Sequence, residues 1–112
     1  MLTTRAHAAK LGAKVLGRIV SYAVAGVPPE VMGIGPAFAI PAALKKAGLS
    51  MNDIDVFEIN EAFASQASYC GRELGVPEEK LNPRGGAIAL GHPLAMTGAR
   101  MINTLYSELN RT

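Results

Sequence analysis

Along this sequence, segments with the hydrophobic spacing of helices alternate with short β-branched runs, and a glycine or proline stands at almost every junction. Thr3 or Thr4 can cap a first helix through "RAHAAKL", which Gly12 ends by supplying a left-handed residue. "VLGRIVSYAVAGV" (15–27) is rich in Val, Ile and Tyr without helical spacing and stops at Pro28-Pro29, so it reads as a strand. Ile40, Ala43, Leu44 and Ala47 then recur at helical spacing, with Pro36 in the first turn and Gly48 at the end. Pro41 removes a backbone donor inside that helix, which predicts a late start or a bend. Ser50 and Asp53 have the spacing of a capping pair, and "IDVFEI" (54–59) follows as a buried strand. From Glu61 to Leu74 a helix places Phe63, Ala67, Cys70 and Leu74 on one stripe, and Gly75-Val76-Pro77 stops it. "AIAL" (87–90) reads as a short strand between glycines, and a last helix carries Ile102, Leu105 and Leu109 inward. This alternation predicts an α/β fold, a sheet with packed helices, whose ligand crevice lies beyond the carboxyl ends of strands. Asn60 and His92 stand at two such ends.

Composition narrows the function classes. With 112 residues, 49% of them hydrophobic, one domain over 1–112 with a buried core is expected, with no linker of the size that a second domain needs. The net charge is +2 and the eleven Lys and Arg residues are scattered without aromatic interleaving, so nucleic acid is not an expected partner. The lone Cys70 rules out an internal disulfide and a multi-cysteine metal site and fits an intracellular, reducing compartment. The apolar stretch Ala37 to Leu44, interrupted by Pro41, is far shorter than the roughly 20 residues that span a bilayer, so no membrane span is expected. "MLTTRAHAAKLG" lacks the apolar core of a signal peptide, and "ELNRT" matches no tripeptide or tetrapeptide targeting signal.

Most motif fragments dissolve on inspection. "GIGPAF" has Phe38 where a dinucleotide fingerprint needs its third glycine, and "GGAIALG" lacks the lysine and hydroxyl of a phosphate loop. Cys70, on the apolar stripe of its helix, reads as a buried structural thiol, and His7 as a helix residue without a role. Glu58 and Glu61 flank Asn60, but strand alternation and the helix start aim them differently, so they form no shared-proton pair; Glu61 reads as an acidic residue favouring its helix N-terminus. Asn60 and His92 keep two readings. An asparagine can donate to a developing oxyanion and a histidine can move a proton near neutral pH, whereas the structural alternatives are a helix cap and a buried hydrogen-bonding imidazole.

Three blocks together carry a resemblance: "VMGIGPAFAIPAALKKAGL" (31–49), "NEAFASQ" (60–66) and "NPRGGAIALGHPLAMTGAR" (82–100). They resemble the thiolases, and with "SYAVAGVPPEVMGIGP" (21–36) the peroxisomal-type 3-ketoacyl-CoA thiolases, through essentially the whole chain. The resemblance implies a thiolase-like layered α/β sheet with packed helices, here an incomplete C-terminal half that lacks the final strands and the N-terminal half. It implies an acyltransferase that uses coenzyme A to cleave 3-ketoacyl-CoA into acetyl-CoA and a shortened acyl-CoA in fatty acid β-oxidation, with CoA as a substrate, no cofactor and no metal. By the same resemblance His92 is the base that forms the attacking thiolate, Asn60 holds an oxyanion-stabilising water, and Phe63 lies near the pantetheine arm. Gly91 lets the main chain approach substrate. A homo-oligomer when full length and a peroxisomal location are also implied.

The departures have consequences. Neither catalytic cysteine of the family is matched in these 112 residues, and Cys70 aligns with a helix position, so the chain alone is expected to be inactive. Ala95 stands where the family usually has glycine. A non-catalytic CoA-binding or subunit-pairing module is the alternative reading. "NEAF" argues against a decarboxylating condensing enzyme of the same superfamily.

Overall fold

The computed structural model describes residues 1–111. Five helices run in chain order: α1 (Arg5–Lys10), α2 (Gly35–Ala47), α3 (Ala64–Glu73), α4 (Ala87–Leu90) and α5 (Thr97–Leu109). A six-residue 3-10 segment kinked at Val31 lies at Pro29–Ile34, and single 3-10 turns lie at Met51–Asp53 and Glu78–Lys80. The punctuation read from the sequence is realised: Thr4 Oγ1 accepts from His7 N at 3.2 Å, and Asp53 Oδ2 accepts from both Ser50 N and Ser50 Oγ at 2.8 and 2.7 Å. Gly12, Gly48 and Gly75 follow their helices in the left-handed region, with φ of 59°, 70° and 62°. Helix α2 runs through Pro41 from Gly35, so the late start expected there does not occur.

The three expected strands fare differently. Among the described residues there is no hydrogen-bonded sheet, and residues 13–28 carry neither helix nor ladder. They nonetheless keep strand alternation over 21–27: Ser21, Ala23, Ala25 and Val27 are half-buried while Tyr22, Val24 and Gly26 are exposed. This run lies along α2, where Ser21 Oγ donates to Ala43 O at 2.8 Å and Lys46 Nζ donates to Tyr22 O at 3.1 Å. A strand is stabilised by a neighbour, and no described segment supplies one here.

Residues 54–59 make one parallel bridge, Phe57 with Leu81, through Phe57 N to Lys80 O and Asn82 N to Phe57 O, both 2.8 Å. The ladder then continues through a side chain. Asn82 Oδ1 accepts from Ile59 N and Asn82 Nδ2 donates to Ile59 O, each at 2.9 Å. Asn82, buried and at φ 46°, has turned out of the strand direction, so its amide replaces the next peptide. "AIAL", expected as a strand, is the one-turn helix α4. A four-residue apolar run has no period of its own to choose between the two.

The buried apolar residues Phe57, Ile59, Ala67, Cys70, Val76 and Ala87 form a core where 57–59 meets α3 and the turn before α4. Two burial expectations are corrected. Phe63 is 66% exposed, because α3 begins at Ala64 and leaves Phe63 extended in front of it. On α5, Ile102 and Leu109 are exposed while Thr97 and Glu108 are buried, because the polar face is the one anchored to this chain. Glu108 binds Arg84 at 2.6 Å and Arg111 at 2.5 Å, and Arg100 reaches the side chain of Glu58 at 2.9 Å.

Candidate active site

The end of the 54–59 segment and the turn before α5 bring Asn60 and His92 together. Asn60 Nδ2 lies 3.4 Å from His92 Nε2. Around Asn60 the backbone is pinned: Gln66 Nε2 donates to Asn60 O at 3.1 Å, and Gln66 Oε1 accepts from Phe63 N at 3.2 Å. One side chain therefore holds the residue before the helix and caps the helix itself. Gly33 makes room for it, since a Cβ there would lie 2.7 Å from Gln66 Cγ. Asn60 Oδ1 is buried and accepts no hydrogen bond from the described residues.

On the other side, His92 Nδ1 is 2.7 Å from Thr97 Oγ1, and the Thr97 hydroxyl donates to Pro93 O at 3.0 Å. A threonine has one hydroxyl hydrogen. When that hydrogen is on the Pro93 carbonyl, Oγ1 acts as acceptor, and a neutral His92 carries its proton on Nδ1. Nε2 then presents a lone pair, which the Asn60 amide N–H faces. The imidazole is exposed while Thr97 is buried, so an accessible imidazole is oriented by a packed partner. Pro93 stands before α5: Met96 N, Thr97 N and the Thr97 hydroxyl all converge on its carbonyl, and the helix starts at Thr97.

Gly91 sits at φ 92° and ψ 161°, a backbone conformation open to glycine, and carries the chain from α4 to His92. Phe63 stands exposed three residues beyond Asn60. Ala95, between His92 and α5, has φ 63°. In that conformation a glycine would carry no Cβ penalty.

Cys70 is fully buried, with Sγ 3.5 Å from Gly33 O, as its place on the apolar stripe implied. The two glutamates separate as expected. Glu58 turns to Arg100, and burial pushes its carboxyl above the usual range against the pull of that guanidinium. Glu61 does not serve α3: its two oxygens accept from Asn82 Nδ2 at 3.2 Å and Ile88 N at 2.9 Å. Thr97, Asn82 and this use of Glu61 were not read from the sequence. An Asn-Pro pair opening a glycine turn is the signal that could have marked Asn82.

No group of three or more His, Cys, Asp or Glu side chains placed to hold a metal ion occurs among the described residues. No helix among them is long and apolar enough to cross a membrane.

Residues 13–112 match the family model described as "Thiolase, C-terminal domain". The mouse (Mus musculus) peroxisomal 3-ketoacyl-CoA thiolase B is 68% identical over 111 residues, which cover 99% of this chain and 26% of the relative. The Saccharomyces cerevisiae peroxisomal 3-ketoacyl-CoA thiolase, a five-layered α-β-α-β-α structure constructed from two core domains of identical topology, superposes with a TM-score of 0.89. That match has 58% identity and covers 93% of this chain and 30% of the yeast chain. A second structure from that yeast, the dimeric peroxisomal thiolase, gives 0.90 at 58% identity, covering 93% of this chain and 26% of the other. The chain thus spans about a quarter of the length of the curated relatives it matches, and its backbone superposes on the corresponding part of their layered α/β fold.

Proposed function

This chain belongs to the thiolase family, where it matches the C-terminal domain, and we propose that it is the base-bearing part of an acyltransferase cleaving 3-ketoacyl-CoA with coenzyme A. The observation that carries this reading is the relay Pro93–Thr97–His92–Asn60, which holds the exposed imidazole of His92 by Nδ1 and sets its Nε2 beside an amide donor. A thiol proton passes to Nε2, and the thiolate attacks the 3-keto carbon. The C2–C3 bond then breaks, its electron pair leaving as the enolate of acetyl-CoA, which takes a proton at C2 from an acid elsewhere in the full-length enzyme, while the acyl group stays on sulfur. The protonated Nε2 and the Asn60 amide are donors for oxyanions formed on the way. CoA takes up the acyl group in the second half of the reaction, as substrate and not as cofactor.

The only thiol of these residues, Cys70, is buried in the core, so the nucleophile of the proposed reaction comes from another part of the full-length enzyme. Phe63 and Gly91 belong to the acyl-CoA side of the site in this reading. Fatty acid β-oxidation, a peroxisomal location and a dimeric full-length protein are proposed on the names of the relatives.

The test has two arms. The 112-residue chain alone is expected to show no thiolysis of acetoacetyl-CoA. Mouse thiolase B with these residues in place of its own matching segment is expected to turn over, and to lose about 10²- to 10⁴-fold in kcat with His92→Ala. Turnover by the isolated chain that His92→Ala abolishes overturns the assignment of the nucleophile; a chimera indifferent to His92 overturns the assignment of the base.

A second reading, a non-catalytic module that pairs with thiolase subunits, draws on the exposed apolar side chains of Ile19, Val24, Leu94, Ile102 and Leu109. Size-exclusion chromatography with and without a full-length thiolase decides it, since a monodisperse monomer that ignores the partner excludes pairing.

A further inference from the structure

Glu61 joins two parts of the site that are remote in sequence. It accepts from Asn82 Nδ2 through Oε1 and from Ile88 N through Oε2, while Asn82 holds both the N–H and the C=O of Ile59. The residues on either side of Asn60, Ile59 and Glu61, are thereby each tied to the segment 82–88. That segment leads through α4 and Gly91 to His92. We infer that Glu61 is a positioning residue whose two-oxygen clamp sets the separation of Asn60 from His92; its consequence for turnover rests on the thiolase reading above.

An independent feature supports the clamp. Gly86 has φ −97°, a conformation any residue adopts, so backbone stereochemistry does not require glycine there. Space does. A Cβ at Gly86 would lie 2.5 and 2.7 Å from the two Glu61 carboxylate oxygens, and closer still to the carboxyl carbon. The glycine opens the passage by which the carboxylate reaches the Ile88 amide. A cap on α3 does not explain Glu61, because Phe63 N is already satisfied by Gln66 and the Glu61 oxygens point to Asn82 and Ile88.

The clamp makes a prediction that a merely structural glutamate does not. In the chimeric thiolase, Glu61→Ala and Gly86→Ala should each lower kcat by about 10- to 100-fold with KM within about twofold, the range expected when reacting groups are misplaced by an ångström. Glu61→Gln, which keeps one acceptor oxygen of the two, should fall between wild type and Glu61→Ala. The double variant Glu61→Ala/Gly86→Ala should be no worse than Glu61→Ala alone, since the added methyl then meets no carboxylate. Independent multiplication of the two losses, or a Glu61→Ala kcat within twofold of wild type, overturns the inference. So does a loss that follows thermal stability equally in Glu61→Gln and Glu61→Ala. Should the chimera show no His92-dependent turnover, the thiolase reading fails separately, and hydrogen exchange in the 112-residue chain decides the clamp. The Ile88 amide should exchange at least about tenfold faster in Glu61→Ala, and an unchanged rate rejects it.

Discussion

His92 Nδ1 lies 2.7 Å from Thr97 Oγ1, which also lies 3.0 Å from the Pro93 carbonyl. This contact decides which imidazole nitrogen is free to accept a proton. Thr97→Val keeps the shape of the side chain and removes the acceptor. Loss of one hydrogen bond of about 1 kcal/mol should lower kcat in the chimera by roughly 5- to 10-fold and mix the two tautomers. Thr97→Ser should retain activity. The ¹⁵N shifts of His92 read the tautomer directly, and a Thr97→Val imidazole still protonated on Nδ1 alone would contradict the assignment.

Asn60 contributes its amide N–H beside Nε2 at 3.4 Å. Removing one oxyanion donor typically costs about 10²- to 10³-fold in kcat. Asn60→Ala should show that loss in kcat with little change in KM, because the donor matters most as charge develops. Steady-state thiolysis kinetics on the chimera check this; a loss confined to KM would assign Asn60 to substrate binding.

Ala95 holds φ 63°, a left-handed conformation that disfavours a Cβ by roughly 1–2 kcal/mol. Glycine removes that strain but loses about 0.5–1 kcal/mol through its greater freedom in the unfolded chain. Ala95→Gly should therefore stabilise by roughly 0.5–1 kcal/mol, seen as a higher Tm or denaturant midpoint. A lower midpoint would mean that the methyl makes contacts outweighing the strain.

Two carboxylates give opposite pH dependences. Burial raises the Glu58 carboxyl above its ordinary value of 4.5, more than Arg100 lowers it. The folded state therefore holds that proton more tightly than the unfolded chain, and the Glu58 contribution is lost as pH rises from 4.5 through the folded value. Glu108 is held below 4.5 chiefly by its hydrogen bond from Arg111, joined by Arg84. Its contribution is present above 4.5 and lost as pH falls through the lowered value. Urea midpoints across pH 3 to 7 should show Glu108→Gln losing the acid-side drop and Glu58→Gln losing the decline on the other side. Parallel curves for both variants and wild type would contradict the assignment.

Much of the local architecture was readable before any coordinates. Thr4, Ser50 with Asp53, and the left-handed glycines 12, 48 and 75 act as their residue types and spacing required. So does the burial of Cys70 on α3. The errors have a common origin. "AIAL" was too short to show a period, and its turn is helical with Ile88 N held by a glutamate far away in the chain. Within the run 15–27, residues 21–27 keep the alternation of a strand but have no described neighbour with which to form a ladder. Apolar spacing on α5 pointed Ile102 and Leu109 inward, whereas the ion pairs of Arg100 and Glu108 turned the polar face toward the rest of the chain.

The sequence by itself determined the caps, the turns and the identities of Asn60 and His92, because such features depend on backbone stereochemistry within a few residues and on side-chain chemistry. Only the tertiary structure decided that these two side chains meet, that Thr97 stands against Nδ1 of His92, and that Glu61 serves Asn82 and Ile88 instead of its own helix. Each of those outcomes is a distance between residues separated in the chain. Such distances come from how the core around Phe57, Ile59 and Ala87 packs, and no local spacing rule contains them.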